Sequence, residues 1–258
     1  MVLSVRFIDS HCHLNFECFQ QSLETLLASC WSEGIGKFVV PGVLVGQWPD
    51  LCVLASRFSE ISIALGMHPC FVDEHPDSGL EQLDALLVSD QQVVAVGEIG
   101  LDRTAPHWQR QVELFQGQIE LAVKHGLPII VHSRKTHSDV LAVLKRQNYR
   151  GYGVLHGFSG SIQDGLQFVK RGFYLGVGGV ITYPGARKTR DAVAKLPLSS
   201  LVLETDSPDM PPYGLRGELN TPLSVKQVFH CLCDLRNEPP ELIRLSLLAN
   251  TRRLFSLV

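Results

Sequence analysis

Eight short runs rich in valine, isoleucine and leucine recur along this chain, each followed by a polar or glycine-containing corner and a segment long enough to return as a helix. This alternation constrains the fold more than any other feature. Parallel strands buried on both faces read as continuous apolar runs, and each needs a long crossover before the next can pair. The runs fall at 5–8, 37–40, 62–65, 93–96, 128–131, 152–155, 173–177 and 201–203. The pattern predicts an α/β fold, a single-domain (β/α)8 TIM-type barrel over residues 1–258, with a doubly wound open sheet as the second choice. A length of 258 residues suits one such barrel, which typically takes about 250. No low-complexity tract or compositional break marks a linker.

Several crossover segments carry their own boundaries. Residues 109–125 hold an apolar stripe through Val112, Phe115, Ile119 and Ala122, and Gly126 stands where a left-handed helix end is expected. Residues 80–88 and 138–145 are shorter amphipathic segments. Thr221 followed by Pro222 predicts an N-cap and first helical position, opening a helix toward Leu235. Pro239 and Pro240 separate it from a final helix over 241–249.

Lysine plus arginine number 23 against 26 acids, a formal charge of -3, which argues against a broad basic surface for duplex nucleic acid and leaves room only for a local patch. The seven cysteines are odd in number and scattered among apolar segments, as expected in a reducing compartment. Cys231 and Cys233, inside a predicted helix, are read as packing. Residues 1–7 lack the basic flank and long apolar core of a signal peptide and are read as leading into a strand. No run approaches the roughly 18 apolar residues of a membrane span. A cytoplasmic location and no membrane partner are expected.

Barrels build their sites at the carboxyl ends of their strands, and six of the eight ends carry notable histidines or acids. His11 and His13 lie two apart in an extended segment, so their rings project to one side and Cys12 to the other. Glu98 ends a run buried on both faces, where an ionised carboxylate is costly unless neutralised, hydrogen-bonded or bound to metal. Its two oxygens can also bridge two ions, which hydrolytic two-metal sites hold about 3.5–4 Å apart. His132 and His156 end the fifth and sixth runs, and Asp206 follows the eighth. Singly, each histidine is equally a hydrogen-bonded group at the core boundary. Together they form a set of four imidazoles and two carboxylates suited to one or two divalent ions: zinc first by ligand type, with magnesium, manganese, cobalt or iron compatible. Asp206 is the predicted catalytic base toward a metal-acidified water, and Glu98 the second catalytic carboxylate. Glu204 is assigned to the opposite side of the strand, as an ion-pair or hydrogen-bond acceptor.

Three weaker signals accompany these. His68, before Pro69, suits either a substrate phosphate contact or a buried cap. Arg134 suits an anionic oxygen or a solvated loop. The stretch Gly176-Val177-Gly178-Gly179 lacks the spacing of a phosphate loop and predicts close backbone approach only, so no nucleotide cofactor is assigned.

The segments Asp9-Ser-His-Cys-His-Leu14, Gly66-Met-His-Pro69, Gly97-Glu-Ile-Gly-Leu-Asp102, Val131-His-Ser-Arg134, His156-Gly-Phe-Ser-Gly160 and Glu204-Thr-Asp-Ser-Pro208 resemble, in order and over nearly the whole chain, the TatD family of the amidohydrolase-like barrels. The stretch Asp209-Met210-Pro211, with Gly214, Gly217, Asn220 and Pro222, resembles one branch of that family. The resemblance implies one metal site of His11, His13, Glu98 and Asp206, and a second of Glu98, His132 and His156. It implies a phosphoester hydrolase acting on DNA, including 3′-to-5′ exonuclease action on single strands, with His68 and Arg134 positioning phosphate. Asn15 and Arg103 depart from the family pattern, which commonly has Asp and an aromatic residue there. The same site chemistry also admits a small phosphate monoester, an ester or an amide as substrate. A non-enzymatic, metal-bearing interaction module would be expected to lack a ligand or base, and none is missing.

Overall fold

The computed structural model describes residues 5–89 and 92–257. Its strands are β1 (Phe7–Asp9), β2 (Ile35–Pro41), β3 (Ile61–Leu65), β4 (Val93–Asp102), β5 (Ile129–Arg134), β6 (Gly153–Leu155), β7 (Phe173–Val177) and β8 (Leu201–Leu203). All pair in parallel and in sequence order. Beyond the strand ends, Ser10 N donates to Leu203 O at 2.9 Å and Asp206 N to His11 O at 2.9 Å, drawing β8 against β1. The result is a nearly closed barrel rather than a doubly wound sheet, whose strand order would reverse at a switch point.

The helices are α1 (Glu17–Gln20), α2 (Leu23–Ser32), α3 (Trp48–Arg57), α4 (Gly79–Ser89), α5 (Trp108–His125), α6 (His137–Arg146), α7 (Ile162–Val169), α8 (Arg187–Lys195), α9 (Val225–Leu235) and α10 (Pro240–Phe255). Strand residues divide between two apolar layers because successive side chains point to opposite faces. Phe38 and Val40 pack outward with the helices, while Val39 between them joins Ala64, Ala95, Ile130, Val154 and Val202 inside the barrel. Leu254 and Phe255 of α10 complete that inner cluster. This two-sided burial is why the strands read as unbroken apolar runs.

The expected boundaries hold closely for β3, β7, β8, α4, α5 and α6, and Gly126 ends α5 at φ 66°. Four expectations need correction. The strand expected at 5–8 begins at Phe7, and residues 1–4 of the reading made over 1–7 lie outside the described residues. Thr221 gives no side-chain cap; a short 3-10 turn, Pro222–Ser224, precedes α9. The last helix runs on to Phe255 because Leu254 and Phe255 have the barrel interior to fill.

The fourth correction matters most for the site. β4 does not stop at Val96 but continues to Asp102, with an irregular register between Val96 and Ile99. Glu98 therefore sits inside a strand, next to β5. The continuation depends on Gly100, whose φ is 143° and which pairs with His132. A Cβ there would lie 2.0 Å from the His132 carbonyl oxygen. Gly100→Ala is expected to destabilise the protein by about 3 kcal/mol, combining backbone strain with overpacking. Gly185, with nothing within 4 Å of an added Cβ, should tolerate alanine to within about 0.5 kcal/mol. Paired denaturant melts check the contrast; equal effects would contradict it.

Candidate metal centre

The strand ends deliver their side chains to one cavity of about 1060 Å³, which His13, His68, Glu98, His132, His156, Arg134 and Asp206 all line. Glu98 is the centre, its side chain only 3% exposed. Its Oε2 lies 3.2 Å from His11 Nε2 and 3.7 Å from His13 Nε2. Its Oε1 lies 2.7 Å from His156 Nε2, 3.0 Å from His68 Nε2 and 3.1 Å from His132 Nδ1. The two oxygens thus serve two groups of imidazoles. Asp206 faces the first group, with Oδ1 3.4 Å from His11 Nε2 and 3.6 Å from His13 Nε2. Its side chain is 18% exposed, the more open of the two carboxylates.

These contacts follow from backbone geometry. Asp9, fully buried, accepts from the His11 N–H, the Thr205 N–H and the Thr205 hydroxyl, tying the end of β1 to the segment after β8. His11 and His13 leave that tie on one side of the chain, their Nε2 atoms 3.3 Å apart. His13 is oriented from behind, Nδ1 lying 3.3 Å from Pro41 O. His11 stacks on His156 with ring centroids 4.1 Å apart.

Sequence reasoning left some groups unassigned. Asp102 Oδ2 sits 3.0 Å from His132 Nε2, so that its carboxylate accepts the ring proton and Nδ1 is turned toward Glu98. The signal was present: Glu98 and Asp102 are four apart, and an extended strand places such residues on one side. Ending β4 at Val96 concealed it. His68 does two things at once, its Nδ1 accepting from Cys70 N while Nε2 faces Glu98. Cys70 Sγ, 3.3 Å from Asp102 Oδ2, adds a thiol beside His68 and His132.

Glu204 takes the role expected of it, a hydrogen-bond and ion-pair acceptor set apart from the cavity that Asp206 lines. β8 ends at Leu203 and Asp206 adopts φ 56°, so strand alternation does not extend across 204–206. Glu204 lies beneath His156, its Oε1 accepting from Gly157 N and standing 4.0 Å from His156 Nδ1. Gly176 is the close approach expected there, since a Cβ would fall 2.0 Å from Glu204 Oε2. Of the two departures from the family pattern, Arg103 stacks 3.6 Å over Trp108 and pairs with Asp139 at 2.7 Å. Asn15 keeps a buried Oδ1 with no hydrogen-bond partner among the described residues.

Burial works against charge here, and the partners decide which groups keep it. Burial and the neighbouring His156 charge lower His11 to about 4. His156 faces the same burial, but the Glu98 carboxylate outweighs it and raises the ring to about 10. For Glu98 the desolvation is overridden by His156, His68 and His11, holding the carboxyl well below its ordinary range.

The donor set fits a metal. Four ligands at about 2.0–2.1 Å in a tetrahedron have edges of about 3.3–3.4 Å. The 3.2, 3.3 and 3.4 Å separations around His11 Nε2 have that size, as does the 3.3 Å between His132 Nδ1 and His156 Nε2. Imidazole nitrogens and carboxylate oxygens together are the borderline donors that zinc and neighbouring divalent ions take. The groups His11, His13, Asp206 and His11, Glu98, His156 each bring their ligand atoms within 4.8 Å of one another.

Fold and site together define a (β/α)8 barrel with a candidate metal centre at its strand ends, and comparison with known proteins makes it a metal-dependent hydrolase. Residues 8–256 match the family model of TatD-related DNases, and the chain belongs to that family. It is 46% identical over 254 residues to the uncharacterized metal-dependent hydrolase YjjV of Escherichia coli (strain K12), covering 97% of this chain and 98% of the relative. The crystal structure of that TatD homologue superposes with a TM-score of 0.96 at 45% identity, covering all of both chains. The branch indicated by the closing stretch is therefore the YjjV-like one. An uncharacterized amidohydrolase from Saccharomyces cerevisiae, 17% identical, shares the fold with a TM-score of 0.80 over 97% of this chain and 100% of its own. No described helix is long and apolar enough to cross a membrane.

Burial, only partly offset by His156, pushes the Glu204 carboxyl up from 4.5 to about 8. The folded protein then holds a proton that the unfolded chain releases near 4.5, so this group's contribution to stability is complete below that pH and lost as pH rises through 8. One such proton makes unfolding free energy fall by about 1.4 kcal/mol per pH unit inside that window. In metal-stripped protein, Glu204→Gln should remove this slope and flatten the decline. Parallel wild-type and variant profiles between pH 4.5 and 8 would contradict it.

Proposed function

We propose that the chain is a single TatD-like domain that hydrolyses phosphoester bonds in DNA, working at the end of a single strand. The observation that carries this reading is the division of Glu98 between two imidazole groups, Oε2 toward His11 and His13 and Oε1 toward His132 and His156. Such a carboxylate suits a bridge between two cations. In this reading His11, His13, Glu98 and Asp206 hold one ion, and Glu98, His132 and His156 hold the other, with zinc best matched to the donors. A divalent ion bound there supplies acidification of a water, from about 15.7 to about 7, and polarisation of a phosphoryl oxygen.

The chain's own residues do the rest. Asp206, the carboxylate open to the cavity, takes the proton of the attacking water on a side-chain oxygen and later releases it toward the leaving group. Glu98, nearly excluded from solvent, keeps its charge because the histidines surround it, and so serves as a fixed anion rather than a proton carrier. Asp102 holds the His132 ring so that Nδ1 points inward. Second carboxylates of this kind orient metal-binding histidines in many sites. His68 and Arg134, both lining the cavity, orient the phosphate. The cleft and the net charge of -3 favour a strand end over a long duplex footprint.

The test uses purified protein with its bound metal quantified, assayed on single-stranded DNA, bis(p-nitrophenyl) phosphate, a phosphate monoester, a lactone and an amide. Chelation should abolish hydrolysis and divalent metal should restore it. Asp206→Ala should bind metal more weakly and, reloaded to wild-type metal content, should lower kcat by about 10²–10⁴, and Glu98→Ala should lose both metal and activity. Wild-type rates in both variants after reloading, or turnover confined to the lactone or amide, would overturn the reading.

A further inference from the structure

One wall of the cavity is built from cations that the chemistry above does not fully use. Arg134 and Lys135 lie at the end of β5, and Arg187 and Lys188 open α8, so two separate strand-to-helix loops deliver them to the cavity that holds Glu98 and Asp206. Some of the chain's other surface cations pair with acids, as in Arg57 with Glu24, Lys124 with Asp84 and Lys195 with Asp191. In this wall only Lys188 has an acid near it, Asp164 at 3.8 Å. Among the described residues Arg134, Lys135 and Arg187 have no acidic partner.

Three unpaired cations lining one cavity in a chain of charge -3 repel one another, and an anion in the cavity relieves that repulsion. The backbone agrees. Lys135 is held at φ 58°, a left-handed conformation costing a non-glycine residue about 1–2 kcal/mol. The nine-residue α8 begins at Arg187, and Ala186 before it offers no side-chain acceptor, so among the described residues no side chain caps its first N–H groups or its positive dipole end. At the same cavity α7 shows the opposite arrangement, its start closed by a Ser161–Asp164 capping box. Phe16, stacked on His13 with ring centroids 4.8 Å apart, and Phe71, beside His68, add aromatic surface to the same cavity.

We propose that Lys135, Arg187 and Lys188, with the start of α8, form a second phosphate subsite that binds a non-scissile phosphate of a single DNA strand while its neighbour lies at the histidine centre. The inference rests on the phosphoester reading and adds that a phosphate neighbouring the scissile one is gripped by this wall. Binding energy from the remote phosphate would then be available to the chemical step. A monoester has no group to place there.

The experiment compares wild type with the Lys135→Ala/Arg187→Ala double variant, both metal-loaded, on bis(p-nitrophenyl) phosphate and on single-stranded oligothymidylate. The ratio of kcat/KM for the oligonucleotide to that for the one-phosphate diester should fall about tenfold or more in the variant. The slope of log kcat/KM against log salt on the oligonucleotide should become shallower by about 1.4, about 0.7 for each lost contact to a single strand. Fluorescence anisotropy of labelled oligothymidylate with metal-stripped protein should show the same loss of affinity, and Lys135→Arg/Arg187→Lys should restore it. An unchanged ratio with an unchanged salt slope, while wild type cleaves both substrates, overturns the subsite alone. A wild type that cleaves neither overturns the phosphoester reading and the subsite with it.

Discussion

The structure turns on one buried carboxylate. Glu98 stands in a strand, almost without solvent, where ionisation would be prohibitive unless positive charge shares the space. Four of the surrounding imidazoles lie within 3.2 Å of its oxygens, and they compete for the same few protons. Without metal, the cluster settles by charging His156 and leaving His11 neutral. A divalent ion held there would bring the same carboxylate more positive charge in less room, with the imidazoles serving as neutral donors. A site of this kind therefore binds metal in competition with protons.

The barrel makes the cluster possible by bringing together groups far apart in sequence. His11 and Asp206 stand near opposite ends of the chain, yet the Asp206 N–H donates to the His11 carbonyl at 2.9 Å. Asp9 reinforces that seam by accepting three hydrogen bonds, two of them from Thr205. The motif acids thus divide their labour. Asp9 holds the strands, Asp102 holds His132, Glu204 lies under His156, and Glu98 and Asp206 line the cavity. Rigid placement by strand ends and buried acceptors suits hydrolysis by positioning and electrostatics, which needs no protein nucleophile.

Much of this was legible in the sequence, for identifiable reasons. The eight strands could be read because burial on both faces leaves unbroken apolar runs, and β7 and β8 fall at the expected residues. The side chains that meet at the cavity could be read because barrel geometry assigns meaning to whatever follows each run. What could not be read depended on distance along the chain or on local departures from regularity. The extension of β4 through Gly100 has no apolar signature, so Asp102 went unassigned. Glu204 was legible as an acceptor, but its donor, the Gly157 N–H, comes from another loop and leaves no local signature. The length of α10 is set by the space inside the barrel, which no local pattern records. The cationic wall joins β5 to α8, two loops that only the closed fold brings together.

The most direct test of the central claim is anomalous diffraction from crystals of the metal-loaded protein, recorded on either side of the absorption edge of the ion found bound. The account predicts two anomalous peaks flanking Glu98, one within coordination distance of Oε2, His11 and His13, the other within coordination distance of Oε1, His132 and His156. Peaks remote from Glu98, or a fully occupied metal that leaves both its oxygens uncoordinated, would contradict it.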